Sequence, residues 1–590
     1  MGITLSVLAG RAIQLQGIDA SANALAAAQA MTHTQVLKAQ RGALLDRNGQ
    51  VLAETLPAVK VVADPYVISI NGASNRAAMT SEDTQRAAIA PAAIAQIVAT
   101  YLGGKPADYL PQLTHATDDQ GNPDMYEVLK RQVPTATYQA LLAELRANGW
   151  MGIYKEDDPI RQYPGGALAS NVVGFLNGDG QGAAGLEYAF DDQLNGTDGQ
   201  EVYQTSAYGR IPLGTSILQP AVDGTTYTLT IDSEMQWQLQ QELARAVTNA
   251  KAKSGTGIIM DVKTGEVLGL ADYPTFDSNA PGKADPADLG NRAVTDAYEP
   301  GSVEKVLTFA ALLDQGLITP ETRVEVPGRL QSGGGYIYDA DRHPNTEYLT
   351  ARGVIYNSSN IGAAELARLM DKATLSRYLT SFGLGRATGI ELPGEPTGAL
   401  GLVPDANMPD YTRDQIAFGQ GLSVTTVQEA AALAAIVDGG VYHTPTVIAS
   451  AVDGAGKPVT IARSPARRVI SPQASAMMLD MMESVVAADP GAAKRVIPGY
   501  RMAGKSGTSQ TVDPATGRYT NNYVSSYVAV APVEDPTILI YIVVNSAPNV
   551  YGIQAAFPAA RDLMMLALPR YGILPQANIP PYTKPIYYQP

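Results

Sequence analysis

A serine hydroxyl becomes a nucleophile only when a base stands beside it, and Ser302 has Lys305 three residues on. Pro300 and Gly301 break the chain just ahead of the mostly apolar run Val306–Leu313, which predicts that Ser302 sits in the first turn of a helix. Side chains at i and i+3 share a face one turn apart, so the amine can reach the hydroxyl. The unpaired amides and the dipole at such a helix end can hold an oxyanion. Alone, Ser-x-x-Lys is a spacing that chance supplies several times in a long chain, and an ordinary helix start accounts for it as well.

Two further stretches change its weight. Ser358-Ser359-Asn360 precedes another amphipathic pattern, and Lys505-Ser506-Gly507-Thr508 lies in a Gly-rich stretch ahead of Tyr523–Ala531, which reads as a strand. Taken in this order, Ser-x-x-Lys, Ser-x-Asn and Lys-Ser-Gly resemble the three-part signature of penicillin-binding proteins and serine β-lactamases.

Composition narrows the chemistry by exclusion. With no cysteine in 590 residues, disulfides, zinc-thiolate sites and cysteine nucleophiles are ruled out. The four histidines, His33, His115, His343 and His443, are not paired at metal-ligand spacing. No metal or other cofactor is expected, and a lysine base is more natural than a Ser-His-Asp triad. His343, between Arg342 and Pro344, reads as a loop residue. The net charge of −15, spread along the chain, argues against a nucleic-acid partner, which needs a basic face. The glycines between Gly178 and Gly185 lack a following Lys-Ser/Thr, so they make no phosphate loop.

The elements that must position these residues follow from the patterning. The chain is 45% apolar and 17% charged and is too long for one core. An Asn48-Gly49 turn predicts a hairpin, and Ala92–Leu102 and Thr137–Leu145 read as helices in a stretch without a catalytic constellation. A boundary falls near Gln219–Gly224. Beyond it Tyr227, Leu229 and Ile231 alternate with threonines as a half-buried strand. Ser233-x-x-Gln236 offers a capping box to a helix bearing Leu239, Leu243 and Val247. Gly257–Met260 and Val267–Ala271 then make a hairpin leading to the Ser302 helix.

The middle of the chain is mostly helical, including Ile361–Met370 and Thr426–Val437, and strands return at Tyr523–Ala531 and Ile538–Val544. A last helix starts or kinks at Pro558. Strands at both ends with helices between predict an α+β domain whose sheet is closed by its own C-terminus. Residues 574–590, with five prolines, are expected to be extended or disordered. At the other end, Ile3–Ile13 is apolar but for Thr4, Ser6, Gly10 and Arg11, about half the ~20 residues that span a bilayer. It reads as the outer end of a membrane helix, or else as a short soluble helix continuing through Ala20–Ala30.

With the three motifs in place, the chain resembles a class B penicillin-binding protein along nearly its full length. The resemblance is carried by the Arg41-Gly42 to Gly49 hairpin, Arg161-Gln162-Tyr163-Pro164, Gly185-Leu186-Glu187, Asp261–Leu268 and Gly419–Thr425. Only about 40 residues precede Arg41, too few for the glycosyltransferase domain of class A members. Asn291–Asp296 ahead of Tyr298-Glu299-Pro300-Gly301 looks most like the division-specific, septal transpeptidases of actinobacterial type. The resemblance implies an α+β fold, with an antiparallel transpeptidase sheet and its helices preceded by an elongated α+β pedestal. Its parts are a partial membrane or juxtamembrane helix over residues 1–36, the pedestal over 37–222, the transpeptidase domain over 223–570 and a Pro-rich tail over 571–590.

The same resemblance implies the roles. Ser302 attacks the carbonyl between two terminal D-alanines of a peptidoglycan stem peptide, Lys305 takes its proton, Ser358 relays that proton toward the leaving amine, and Asn360 holds Lys305 and the substrate amide. Lys505, Ser506 and Thr508 recognise the terminal carboxylate, Gly507 lets the substrate backbone approach, and the N–H groups of Ser302 and Thr508 form the oxyanion hole. An amine of a second stem peptide resolves the acyl-enzyme, and β-lactams acylate Ser302. Implied partners are a polytopic glycosyltransferase, other division proteins and the membrane, with the catalytic domain on the extracytoplasmic side and at the septum.

Glu304 departs from the usual aromatic or amide residue inside Ser-x-x-Lys. It is expected to point to solvent, where an acid suits the helix dipole; the alternative is a carboxylate that raises the Lys305 pKa. Other readings of the whole are a penicillin-binding sensor or divisome scaffold with little turnover, an elongation-specific transpeptidase, and a β-lactamase, for which no water-activating carboxylate can be assigned.

Overall fold

A computed structural model of the chain describes residues 32–590 except 74, 116, 118–121, 207–208, 211–216, 397–407, 489–494, 513–515 and 517–518. The expected membrane segment Ile3–Ile13 and its continuation through Ala30 lie outside the described residues. Among the described residues no helix is long and apolar enough to cross a membrane.

The chain divides into two compact units that exchange segments. One comprises the described residues up to Gly42, Ala53–Gln162 and Asn195–Thr225; the other comprises Ala43–Leu52, Tyr163–Leu194 and Thr226–Pro590. In the first, the elements are β1 (Thr32–Leu37), β2 (Ala58–Ala63), α1 (Ser81–Leu102), β3 (Glu127–Pro134), α2 (Thr135–Ala147), β4 (Ile153–Asp157) and β5 (Gly199–Ser206). β2 is the middle of a three-stranded antiparallel sheet, between β3 and β4, and β1 pairs with β5. Val59, Val61 and Ala63 of β2 pack with Ile94 and Val98 of α1 and Leu141 and Leu145 of α2.

The larger unit carries the motifs. Its elements around the motifs include β6 (Thr226–Leu229), α3 (Ser233–Asn249), β7 (Ser254–Asp261), β8 (Val267–Tyr273), α4 (Lys305–Asp314), β9 (Glu347–Thr350), α5 (Ala351–Asn357), α6 (Asn360–Ala367), α7 (Thr426–Val437), α8 (Pro472–Ala487), β10 (Ala503–Val512), β11 (Tyr519–Ala531), β12 (Ile538–Pro548) and α9 (Phe557–Arg570). Five strands form one antiparallel sheet in the order β8-β7-β12-β11-β10. Strands from opposite ends of the unit thus meet at its centre, where Ile258 pairs with Tyr541.

The continuous apolar run of β12 follows from burial on both faces. Ile538, Ile540, Ile542 and Val544 join the core made with Leu239 and Leu243 of α3 and Leu563 and Met564 of α9. The alternate residues face the other side, where the Tyr541 hydroxyl accepts a hydrogen bond from Tyr298 at 2.9 Å. α9 begins with Pro558 in its first turn, one of the two outcomes expected there.

The expected capping box at Ser233 is not what starts α3. Asp232, one residue earlier, accepts from the N–H groups of Glu234 and Met235, while Gln236 is drawn away to both backbone groups of Leu270. Asp232 also receives Arg570 through two bonds of 2.6 and 2.7 Å, which ties the start of α3 to the end of α9. Residues 574–590 form no helix or strand, and they are held against the unit: Tyr588 N–H donates to Tyr348 O at 3.0 Å and Lys584 pairs with Asp480 at 2.6 Å.

Candidate active site

Ser302 occupies a single 3-10 turn, Gly301–Val303, that feeds directly into α4. The turn lies against β10 backbone to backbone. Gly301 has φ +63°, and a Cβ there would stand 2.6 Å from Thr508 O; a Cβ on Gly419 would stand 1.9 Å from Gly301 O. Only glycine tolerates both demands at 301. Gly507 is explained in the same way. Its missing Cβ would strike Ser526 Oγ at 2.3 Å and Pro300 O at 2.6 Å, so glycine here lets the nucleophile turn close on the strand. That demand comes from within the fold, in addition to any approach of a substrate.

Lys305 is fully buried, and its amine has four neighbours: Ser302 Oγ at 2.8 Å, Ser358 O at 2.7 Å, Asn360 Oδ1 at 2.8 Å and Ser358 Oγ at 3.3 Å. A carbonyl and an amide oxygen can only accept, so they take the two N–H groups of a neutral amine. The lone pair is left toward Ser302, whose hydroxyl can donate to it. Neutrality follows from the surroundings: burial holds the Lys305 pKa well below the usual lysine value, the Lys505 charge lowers it further, and Asp339 opposes them. The amine is thus poised as a base for Ser302.

Ser358 caps α5 in the left-handed region, at φ +58°. This conformation, uncommon for a residue with a side chain, turns both its carbonyl and its hydroxyl toward lysines. Lys505, 1% exposed, donates to the same hydroxyl at 2.9 Å and to Ser506 O at 3.1 Å. Burial lowers its pKa to about 7. Thr508 Oγ1 donates to Gly507 O at 2.8 Å and accepts from Gly552 N–H at 3.2 Å, while Ser506 is half-buried at the neighbouring position of the strand. The three motifs, over 200 residues apart at their extremes, therefore converge on one hydrogen-bonded cluster.

Glu304 does not point to solvent. It is fully buried, and neither of its carboxyl oxygens has a hydrogen-bond partner; the same holds for Glu429 on α7. Burial, with the Glu429 charge adding to it, pushes the Glu304 pKa well above the carboxylate range, and burial pushes Glu429 up to about 8. The acid is accordingly neutral in the fold. The groups that set the Lys305 pKa are the surrounding low-polarity core, Lys505 and Asp339, and Glu304 is not one of them.

Several supporting residues carry no signal in the sequence. Asp339 accepts from Ser359 Oγ at 2.7 Å and from Ile361 N–H at 2.9 Å, anchoring the turn between α5 and α6, and His343 beside it is a loop residue that also faces Asp339 at 3.4 Å. Tyr338 O accepts from the Asn360 amide at 3.2 Å, which orients its oxygen toward Lys305. Ser509 donates to Glu299 O at 2.5 Å, fastening β10 to the segment ahead of the nucleophile.

Comparison with known proteins places this geometry among relatives. The penicillin binding protein transpeptidase domain family matches residues 255–565, and the penicillin-binding protein dimerisation domain family matches residues 36–229. The chain is 33% identical to penicillin-binding protein PbpB of Mycolicibacterium smegmatis, over 92% of this chain and 84% of that protein. It is 30% identical to the peptidoglycan D,D-transpeptidase FtsI of Escherichia coli K12, over 98% of this chain and 91% of that protein. Among solved structures, penicillin binding protein 3 of Mycobacterium tuberculosis complexed with ampicillin superposes with a TM-score of 0.69 at 28% identity, covering 93% of this chain and 99% of that one.

Proposed function

This chain belongs to the penicillin-binding proteins, and from that premise we propose that it is a peptidoglycan D,D-transpeptidase working through an acyl-enzyme on Ser302. The observation that carries the reading is the Lys305 amine, 2.8 Å from the Ser302 hydroxyl with both of its N–H groups engaged elsewhere. Ser302 Oγ attacks the carbonyl between the two terminal D-alanines of a stem peptide and passes its proton to Lys305. The oxyanion forms against the N–H groups of Ser302 and Thr508, each donor of this kind contributing about 3 kcal/mol to such a step.

The C–N bond then breaks, the proton reaches the leaving amine from Lys305 by way of Ser358, and D-alanine departs. An amine of a second stem peptide attacks the ester, an amide forms, and Ser302 recovers its proton. Lys505, in its charged form and with Ser506 and Thr508 beside it, fixes the terminal carboxylate of the donor. A penicillin presents a carboxylate and a strained amide in the same relation and acylates the same oxygen.

Division at the septum is the setting we assign, on the resemblance of Asn291–Asp296 to septal transpeptidases and the similarity to FtsI. An N-terminal helix holds the protein to the membrane with the catalytic unit outside the cytoplasm, and a polytopic glycosyltransferase supplies the glycan strands that it cross-links. Fluorescent penicillin and intact-protein mass test the chemistry: an adduct on the native chain that is lost in Ser302→Ala supports it, and a folded native chain with no adduct overturns it. Depletion in cells tests the setting, with filaments expected and rounding pointing to elongation.

A further inference from the structure

α5 is capped by Ser358, the residue whose carbonyl and hydroxyl face the two lysines, and the C-terminal segment is fastened to both ends of that helix. At its start, Thr350 N–H donates to Ile586 O at 3.0 Å and the Thr350 hydroxyl donates to Pro585 O at 3.0 Å. Leu349 and Tyr587 form an antiparallel bridge, so the segment adds itself to the edge of β9. At the other end of the helix, the Tyr587 hydroxyl donates to Asn357 Oδ1 at 3.2 Å, one residue before Ser358.

The seat is built for this occupant. A Cβ on Gly353 would stand 2.1 Å from Ile586 O, so the helix carries glycine where the segment crosses it. Arg352, only 1% exposed, donates to Pro585 O at 3.3 Å while pairing with Glu321 at 2.7 Å and Asp480 at 2.8 Å. Asp480 in turn holds Lys584, and its carbonyl accepts from the Tyr582 hydroxyl at 3.3 Å. The Tyr588 ring packs edge-on to Tyr348 at 5.6 Å and lies under Arg323 at 5.0 Å.

We propose that residues 582–590 are a strap that fixes α5 and thereby the placement of Ser358 between Lys305 and Lys505, with Gly353 and Tyr587 as positioning residues for acylation. The proposal rests on the acyl-enzyme reading of Ser302. α5 has only seven residues, and the residue that caps it, Ser358, is held in a left-handed conformation that the helix itself does not favour. A small rotation of the helix would move the Ser358 carbonyl off Lys305, freeing the N–H that now directs the lone pair at Ser302. Misplacement of this kind slows a chemical step with little effect on binding.

Four proteins test it with penicillin acylation: the full chain with Gly353→Ala, the full chain with Tyr587→Phe, a chain ending at Pro581, and that shortened chain with Gly353→Ala. The expected result is a first-order acylation step about tenfold or more slower in the shortened chain and in Gly353→Ala, with the affinity of the preceding non-covalent complex changed less than about threefold. Tyr587→Phe shows a smaller loss of the same kind with an unchanged melting temperature. Gly353→Ala introduced into the shortened chain adds nothing, because the clashing carbonyl has gone, and a peptide of residues 574–590 supplied in trans restores the rate. Acylation at the native rate in a folded shortened chain overturns the proposal. So does a loss that follows the melting temperature alone and is not restored by the peptide. A native chain that penicillin does not acylate points instead to failure of the acyl-enzyme reading.

Discussion

Lys505 Nζ donates to the Ser358 hydroxyl at 2.9 Å, and the same hydroxyl stands 3.3 Å from Lys305 Nζ, so one serine bridges two buried lysines. In the acyl-enzyme reading proposed above their tasks are opposite: Lys305 acts neutral and Lys505 acts charged. The second-order rate constant for penicillin acylation is expected to rise as Lys305 loses its proton and to fall as Lys505, at about 7 in the empty site, loses its charge. Lys505→Arg, which does not titrate, removes the descending limb at some cost in rate. Stopped-flow profiles across about pH 5 to 9 read both limbs, and a flat profile in the native chain contradicts the assignment.

Asn360 is expected to matter through the direction of the Lys305 lone pair. Asn360→Ala lowers the acylation rate about a hundredfold with unchanged folding, the scale of a misdirected general base. Asn360→Asp puts an anion beside the amine in place of an amide oxygen at 2.8 Å, raising the Lys305 pKa and carrying the ascending limb to higher pH. The displacement of that limb, read from the same profiles, separates the two effects.

The Glu304 and Glu429 carboxyls give a stability prediction with a definite sign. An acid whose pKa is raised on folding costs nothing while both states keep the proton. Above the ordinary value of 4.5 the unfolded chain gains by ionising, so stability falls as pH rises through the folded value, about 8 for Glu429. Glu429→Gln is therefore neutral near pH 4 and stabilising by on the order of 4 kcal/mol at pH 8. Glu304→Gln follows the same sign and leaves acylation within about threefold. Thermal unfolding at both pH values checks the first claim, and a variant less stable than the native chain at the higher pH refutes it.

Gly301→Ala is expected to lose both folding stability and acylation. The new methyl meets Thr508 O at 2.6 Å, and the backbone at φ +63° disfavours any side chain. A loss of more than about 3 kcal/mol in chemical denaturation is the expected size for a strained position with a backbone clash. Gly282→Ala, at an open position, serves as the control.

The convergence of Ser302, Lys305, Ser358, Asn360 and Lys505 was legible because the chemistry proposed for them demands particular residues at short spacings: a serine with a lysine one turn on, and hydroxyls with an amide or a lysine elsewhere. The sheet was legible because β12 is apolar without interruption. The helix dipole alone favours a solvent-facing acid, and the packing of the helix overrides it at Glu304. The residues after it, Val306 to Leu313, are apolar but for Thr308, and a helix without a polar stripe has no outward face. Asp339, Glu429 and Tyr541 could not be assigned, since they reach the site through tertiary packing that a single sequence does not encode at any fixed spacing. The start of α3 was placed one residue late because Asp232 and Ser233 are both good caps, and Arg570, 338 residues away, favours the first.

The pairing of β7 with β12 also fixes an order of events in synthesis. Residues 254–261 must wait for residues 538–545 before the sheet closes, a loop of nearly half the chain. Ser302 leaves the ribosome some 200 residues ahead of Lys505 and Thr508, so every nascent or truncated chain lacking its last quarter carries a serine with neither the strand that packs against its turn nor the second lysine. Reactivity toward penicillin is in this sense a report of a folded sheet, and chains that stop before Lys505 are expected to be chemically silent.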